Sequence, residues 1–551
     1  MKIKNIFIVV ILTLLFSSCS DTWLEEKPLD FYSPANSFSN ASDFNSAIAR
    51  LYENVHNSLY QVNNGDARSL FYPTDIAYDA IDISHDLNAY SDKLNPVTGQ
   101  VQGMWSSLYE IVFNANVVIG RIDDENVDFS STEQRNALKA EAMFFRAFAY
   151  RVLGIMYGGV PIILEETQEP KRDFVRATKQ EVFQQCVQDL TFASDNLPGI
   201  SEVPQEGRIS NAVADHLLSE VYVILENWDQ AIAAASRVID DPNFSLMTDR
   251  FGSRMDEPGD VYWDLFRRDN QNRSSGNREG IWVSQFEYLV EGGGSSPTWP
   301  RFLVPLYWQL TDPNQVSLFS GPMNQYGGRG IGWFAPTDYM RETVWASDFD
   351  NDIRNSSHNI IRDIKATNPN SEYFGQYIIE SGAIENFPNT YDRWWNPIFA
   401  KVAPINNFPE EFVLDAETGL LNNQSNGMMT DNYIFRLSET YLLRAEAHLG
   451  KGDGASAAAD INTVRERANA NPVAPADVTI DYLLDERARE LCWEELRLLT
   501  LMRLNLLVDR VKTFNSMTGN NILDHQNLWP IPFREIETNT EAELTQNPGY
   551  F

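Results

Sequence analysis

The sequence predicts a mainly α protein, a scaffold of helical hairpins interrupted by one large, irregular, loop-rich insert carrying short strands. Three observations predict it. Apolar residues recur at three- and four-residue spacing through 41–244 and again through 431–551, the pattern of helices that bury one face. Between these stretches, over 245–430, Gly, Pro, Asn, Asp and Ser interrupt the chain repeatedly, which is loop chemistry. Two distant segments also share one arrangement of small residues, each reading as helix, short turn and second helix.

The chain opens MKIKNIFIVVILTLLFSSCSD. Lys2 and Lys4 precede an apolar run from Ile6 to Phe16, and Ser17-Ser18 lead into Cys19. Charge, apolar core and small residues in that order make a secretory signal peptide over 1–18. Its apolar part is too short for a membrane-spanning helix, which needs about 20 apolar residues. With the cysteine directly after the small pair, the stretch resembles a bacterial lipobox, although Phe16 stands where leucine is usual. That resemblance implies lipidation at Cys19 and a tether over 19–40. A lipid anchor holds a protein to a membrane surface with its body in water.

The first helix is expected where Phe44, Ile48, Leu51, Tyr52 and Val55 share one face, with Ser42 or Asp43 as its cap. A second runs through MWSSLYEIVFNANVVIGRI. A third covers Thr132 to Tyr157, stopped by Gly158-Gly159 and Pro161, and a fourth runs from Lys179 to Asn196 before Leu197-Pro198. The paired segments follow. DHLLSEVYVILENWDQAIAAASRVI places Ser219, Tyr222, Ala231 and Ala235 at the spacing that Ala445, His448, Ala457 and Ile461 keep in YLLRAEAHLGKGDGASAAADINTV. This resembles the tetratricopeptide pattern, where small residues let antiparallel helices close tightly. The copies lie far apart in sequence, so a continuous solenoid is not expected. In the insert, EGIWVSQFEYLV alternates like a strand. Eight of the 13 tryptophans fall there: Trp263, Trp282, Trp299, Trp308, Trp333, Trp345, Trp394 and Trp395.

Composition narrows the function. Lys and Arg total 43 against 77 Asp and Glu, a net charge of −34. Nucleic-acid binding needs Lys and Arg to neutralise phosphates, and this balance opposes it. Cys186 and Cys492 lie in helical sequence and read as buried small residues rather than a bridge. Gly328, Gly330 and Gly332 lack the third glycine and the strand–turn–helix setting of a dinucleotide loop. Asp348, Asp350 and Asp352 have calcium-loop spacing, but Ile353 and Asn359 replace the required Gly and Glu. No HExxH or GxSxG motif occurs. No metal or cofactor is expected. A glycosidase carboxylate pair depends on a separation that sequence does not show.

The chain resembles, along essentially its full length, the SusD/RagB-like nutrient-binding outer-membrane lipoproteins of Bacteroidetes. The resemblance rests on the lipobox with CSDTWLEEKP, then WSSLYEIVFNAN, FFRAFAYRVLGIMYGGVPII, EGRISNAVADHLLSEVYV, YIFRLSETYLLRAEA, DINTVRERA, LWPIPFREI and QNPGY. DERARELCWEELRLLTLMR also resembles a family run, with Glu495 in place of its glycine and Thr500 in place of its aspartate. Asp352 and Arg354 fit a family acidic-x-Arg element. Arg146 with Tyr150, Arg436 with Glu439, and Glu486, Arg487 and Glu490 sit inside apolar helical runs. Buried charges must be paired, so these read as interhelical ion pairs. Pro530, Pro532 and Asn547-Pro548-Gly549-Tyr550 read as a C-terminal strap.

The resemblance implies a single domain over 41–551. It implies no enzyme, but a surface-exposed lipoprotein of the outer membrane that captures an oligosaccharide or polysaccharide. It further implies polysaccharide utilisation through a SusC-like TonB-dependent transporter as partner. A peptide-binding uptake lipoprotein of the same family and a surface-anchored helical glycoside hydrolase are the alternatives. Flat aromatic rings offer apolar faces to the C–H faces of sugars. Trp299, Tyr307, Trp308 and Trp333 cluster beside Gly and Pro in the insert and are the expected platforms. The resemblance adds the loop before WSSLYEI, here with Asp79, Asp82, Tyr90 and Asn95 and no tryptophan.

Overall fold

The computed structural model describes residues 38–60, 67–81, 86–294, 297–298, 300–385 and 393–551. Helices dominate, and the strands are short, as the sequence predicts. Helix α1 (Ala41–Val55) begins two or three residues earlier than a cap at Ser42 or Asp43 implies. Asn40 is its cap, accepting from the Ser42 and Asp43 N–H groups, while the Asp43 carboxylate bonds the Asn40 N–H in return. Such a reciprocal cap satisfies donors a helix start leaves open. Helices α2 (Gly99–Arg121), α3 (Thr132–Tyr157) and α4 (Lys179–Asn196) follow, each packed on the next. Every residue of α3 from Phe144 to Tyr157 is buried. Its charges are therefore paired: Arg146 clasps Asp189 of α4 at 2.8 and 2.7 Å, and Arg151 meets Glu220 at 2.5 Å. Tyr150 donates to the Ile163 carbonyl and accepts from the Ile163 N–H.

The two paired segments form hairpins α5–α6 (Asn211–Ile224, Trp228–Ile239) and α7–α8 (Leu437–Gly450, Gly454–Arg467). Sequence separation argued against a continuous stack, yet α7 packs directly on α6. Val223, Ala231 and Ala447 form a small apolar joint between the hairpins. Gly450 lies against the Trp228 indole, where a Cβ would come within 2.8 Å of the ring. Lys451 bonds Asp229 at 2.5 Å and Arg444 bonds Ser236 at 3.0 Å. The insert is thus looped out between two units that meet in space. Helices α9 (Ile480–Leu491), α10 (Arg497–Arg503) and α11 (Leu507–Phe514) complete the scaffold. The C-terminal strap docks as expected. Asn547 donates to the Tyr157 and Trp529 carbonyls, and Tyr550 to that of Leu528.

Among the described residues the insert contributes most of four two-stranded antiparallel sheets. Strand β1 (Ala77–Asp79) pairs with β3 (Phe334–Pro336), and β2 (Gly280–Ser284) with β8 (Asn432–Arg436). Strand β4 (Ile360–Ile361) pairs with β5 (Ile398–Phe399), and β6 (Val413–Asp415) with β7 (Leu420–Leu421). The insert has its own core around Tyr307, Leu310, Met323, Ile364 and Trp395. A buried ionic network joins it to α9. Glu490 accepts from Arg354, Arg436 and Arg467, and Glu486 from Arg354, Arg465 and Arg489. Asp348 is held by Arg465 and Asn471, and Asp352 by Arg354, so these carboxylates serve structure. Cys186 and Cys492 are buried free thiols.

Candidate functional site

The β1–β3 pairing builds the site. It sets Tyr78 opposite Ala335 and Asp79 opposite Phe334, and the Ala80 N–H donates to the Trp333 carbonyl at 2.8 Å. Two stretches some 250 residues apart, the loop before α2 and the GIGW segment of the insert, thereby share one surface. Ile81, at 36 % exposure, marks its rim.

Trp333 is half-buried and stacks on Phe302, with centroids 4.9 Å apart and planes 2° from parallel. Trp308, also half-buried, donates its indole N–H to the Gly330 carbonyl at 2.8 Å, and the Arg329 guanidinium lies 5.9 Å from its ring. The glycines permit this closeness. A Cβ on Gly330 would fall 2.3 Å from the Pro305 carbonyl oxygen. At Gly332, where φ is +55°, it would fall 2.1 Å from that of Arg393. The glycine run therefore lets residues 329–333 lie flat between 301–308 and Arg393. Trp308 packs against the insert core and Trp333 against the main core, and the 329–333 segment links them through the Trp308–Gly330 hydrogen bond.

Other expected site residues take different places. Tyr307 is fully buried; its hydroxyl donates to the Gly328 carbonyl and accepts from the Met323 N–H, both at 2.8 Å. Tyr90 is fully buried, its hydroxyl accepting from the Trp529 indole at 3.0 Å. Burial pushes both hydroxyls well above the ordinary tyrosine range. Neither ring offers a face to a ligand, which corrects the expectation for both. Asp79 is buried too. Its Oδ1 accepts from the Ile81 N–H at 2.8 Å, and its backbone is clamped on both sides by Asn88. It shapes the loop and is not a contact residue. Asn95 is half-buried, its Oδ1 accepting from Val97 N–H in the turn that leads into α2. Cys19, Asp82 and Trp299 lie outside the described residues. Among the described residues no cluster of His, Cys, Asp and Glu could hold a metal ion. No described helix is long and apolar enough to cross a membrane.

Comparison with known proteins agrees with this architecture. Residues 323–550 match the model described as "SusD family", and residues 22–223 match one described as "Starch-binding associating with outer membrane". SusD-like protein P25 of Formosa agariphila is 26 % identical over the whole of both chains. The starch-binding protein SusD of Bacteroides thetaiotaomicron is 36 % identical over 125 residues, 22 % of each chain. A solved laminarin-binding SusD-like protein superposes with a TM-score of 0.68 at 24 % identity, covering 93 % of this chain and all of that one. With SusD-type family models matching residues 22–223 and 323–550 and the fold shared over 93 % of the chain, the chain belongs to the SusD-like family.

Proposed function

We propose that this protein is a cell-surface lipoprotein that captures an oligosaccharide and delivers it to a SusC-like TonB-dependent transporter. The observation that carries the reading is the β1–β3 pairing, which seats the loop before α2 against Trp333 beside Trp308. Relatives named for starch and laminarin binding support a glycan as the ligand class. The ligand site centres on Trp308 and Trp333. Release to a transporter requires modest affinity; micromolar binding corresponds to about −8 kcal/mol.

The test uses purified protein on affinity gels containing laminarin or starch, with parallel incubations assayed for new reducing ends. Retardation without turnover supports capture. Turnover identifies a hydrolase instead. For the anchor, Cys19→Ala should leave the protein soluble or unprocessed. Outer-membrane fractionation and fatty-acid labelling that survive the substitution refute lipidation at Cys19.

A further inference from the structure

Three arginines, two of them with guanidiniums close enough to repel, lie along the segment that carries Trp333. Arg329 lies over Trp308. The carbonyl of Arg301 accepts from the Ile331 N–H at 2.9 Å, and the Nε of Arg393 donates to the Ile331 carbonyl at 3.1 Å. All three residues are half-buried, and each belongs to or bonds the one segment, 329–333, that carries Trp333. Among the described residues none of the three has a carboxylate partner, in a chain with 77 acidic residues and 43 basic ones. The contrast with Arg354, Arg436 and Arg467, each paired with two or more carboxylates, is plain. The Nε of Arg301 is buried with no hydrogen-bond partner.

Among the described residues the surroundings do not neutralise Arg301 and Arg329. From Pro297 to Ala335 the sequence holds one carboxylate, Asp312. That side chain is buried and occupied by the Asn314 and Val316 N–H groups and the Ser371 hydroxyl. Arg301 and Arg329 are close enough to repel one another, which adds to burial in lowering the pKa of Arg301. Unpaired guanidiniums held together at a half-buried surface are destabilising, and a bound anion relieves that repulsion. Guanidinium presents a planar fork that matches carboxylate and sulfate oxygens two at a time. The acidic remainder of the protein does not cancel this locally, because charges beyond about 8 Å are largely screened at physiological salt.

We propose that the surface selects an anionic glycan. A uronate carboxylate or a sulfate ester is held by Arg301, Arg329 and Arg393 while Trp308 and Trp333 face sugar rings. This rests on the glycan-binding reading above and narrows it to a substrate class.

The test compares dextran, dextran sulfate, polygalacturonate and laminarin on affinity gels and by titration calorimetry. Dextran and dextran sulfate share a backbone, so their difference isolates the sulfate; polygalacturonate reports the carboxylate. The expected result is at least tenfold tighter binding to one charged polymer than to the neutral ones, weakening as salt rises. Arg329→Gln and Arg301→Gln should each lose tenfold or more, Arg329→Lys should retain part, and none should melt below the wild type. Charged-polymer binding that ignores the Arg→Gln variants overturns the proposal. So does failure to bind either charged polymer. In that case retardation by laminarin or dextran leaves the glycan reading standing, whereas no retardation by any of the four removes both.

Discussion

Glu490→Gln is the sharpest probe of how the insert is held. Glu490 sits on α9 with no solvent exposure and accepts from Arg354 at 3.0 Å, from Arg436 at 2.8 Å and from Arg467. Burial alone would push its carboxyl up. The guanidiniums of Arg467, Arg436 and Arg354 overcome that and hold it well below the usual carboxylate range. Arg354 belongs to the insert, Arg436 to the junction of β8 with α7, and Arg467 ends α8. One carboxylate thus ties three parts of the molecule together. An amide in its place keeps the volume but removes the charge, leaving three buried guanidiniums to share Asp352, Glu486, Glu279 and Glu494. Breaking a buried pair from one side costs about 3–5 kcal/mol. Urea unfolding should show that loss, and limited proteolysis should cut the insert first. The control is Asp524→Asn, which breaks the Lys512–Asp524 pair where Asp524 is 93 % exposed; exposed pairs contribute little, and no measurable change is expected. Equal effects from the two substitutions would refute the reasoning.

Other predictions concern the hairpins and pH. Ala231→Trp and Ala457→Trp should each cost about 1–3 kcal/mol or more, because both positions are buried small residues within hairpin joints; unchanged melting temperatures for both would dismiss the tight-joint account. Burial pushes the His216 imidazole down to about 3 and the Glu439 carboxyl up to about 7. Below pH 6.5 only the unfolded chain protonates at His216, so stability falls with pH. Between 7 and 4.5 the folded chain protonates first at Glu439, so stability rises as pH falls. Each slope is about 1.4 kcal/mol per pH unit, and the two oppose each other from 6.5 to 4.5. Glu439→Gln should remove the offset, so that chemical denaturation at pH 5.5 against pH 7 shows the variant losing stability relative to wild type. A parallel pH dependence for both proteins would contradict this.

The scaffold was legible because its helices repeat apolar residues at the helical period and because charges inside apolar runs had to be paired. Arg146, Arg436, Glu486 and Glu490 all met partners. The stacking of the hairpins was not legible, since the contact of Gly450 with Trp228 joins positions with no sequence pattern between them. The site was only partly legible. Tyr307 and Trp308 are neighbours in sequence, yet one is core and the other reaches the surface. The insert lacks the periodicity that separates inside from outside in a helix, and no local signal told them apart. Glu495 and Thr500, both singled out in the sequence, do meet: the Glu495 carboxylate accepts from Thr500 at 3.2 Å and pairs with Arg487 and Arg497.

The central claim is that Trp308 and Trp333 form a glycan platform. Titration calorimetry of Trp308→Ala and Trp333→Ala against a glycan that the wild type binds, paired with a thermal melt of each, tests it most directly. Loss of a rigid aromatic platform typically costs about 2 kcal/mol or more, roughly 30-fold in affinity. The account predicts that loss in at least one variant with a melt close to the wild type. Wild-type affinity in both variants, or affinity lost only in step with the melting temperature, would contradict it and place the site elsewhere.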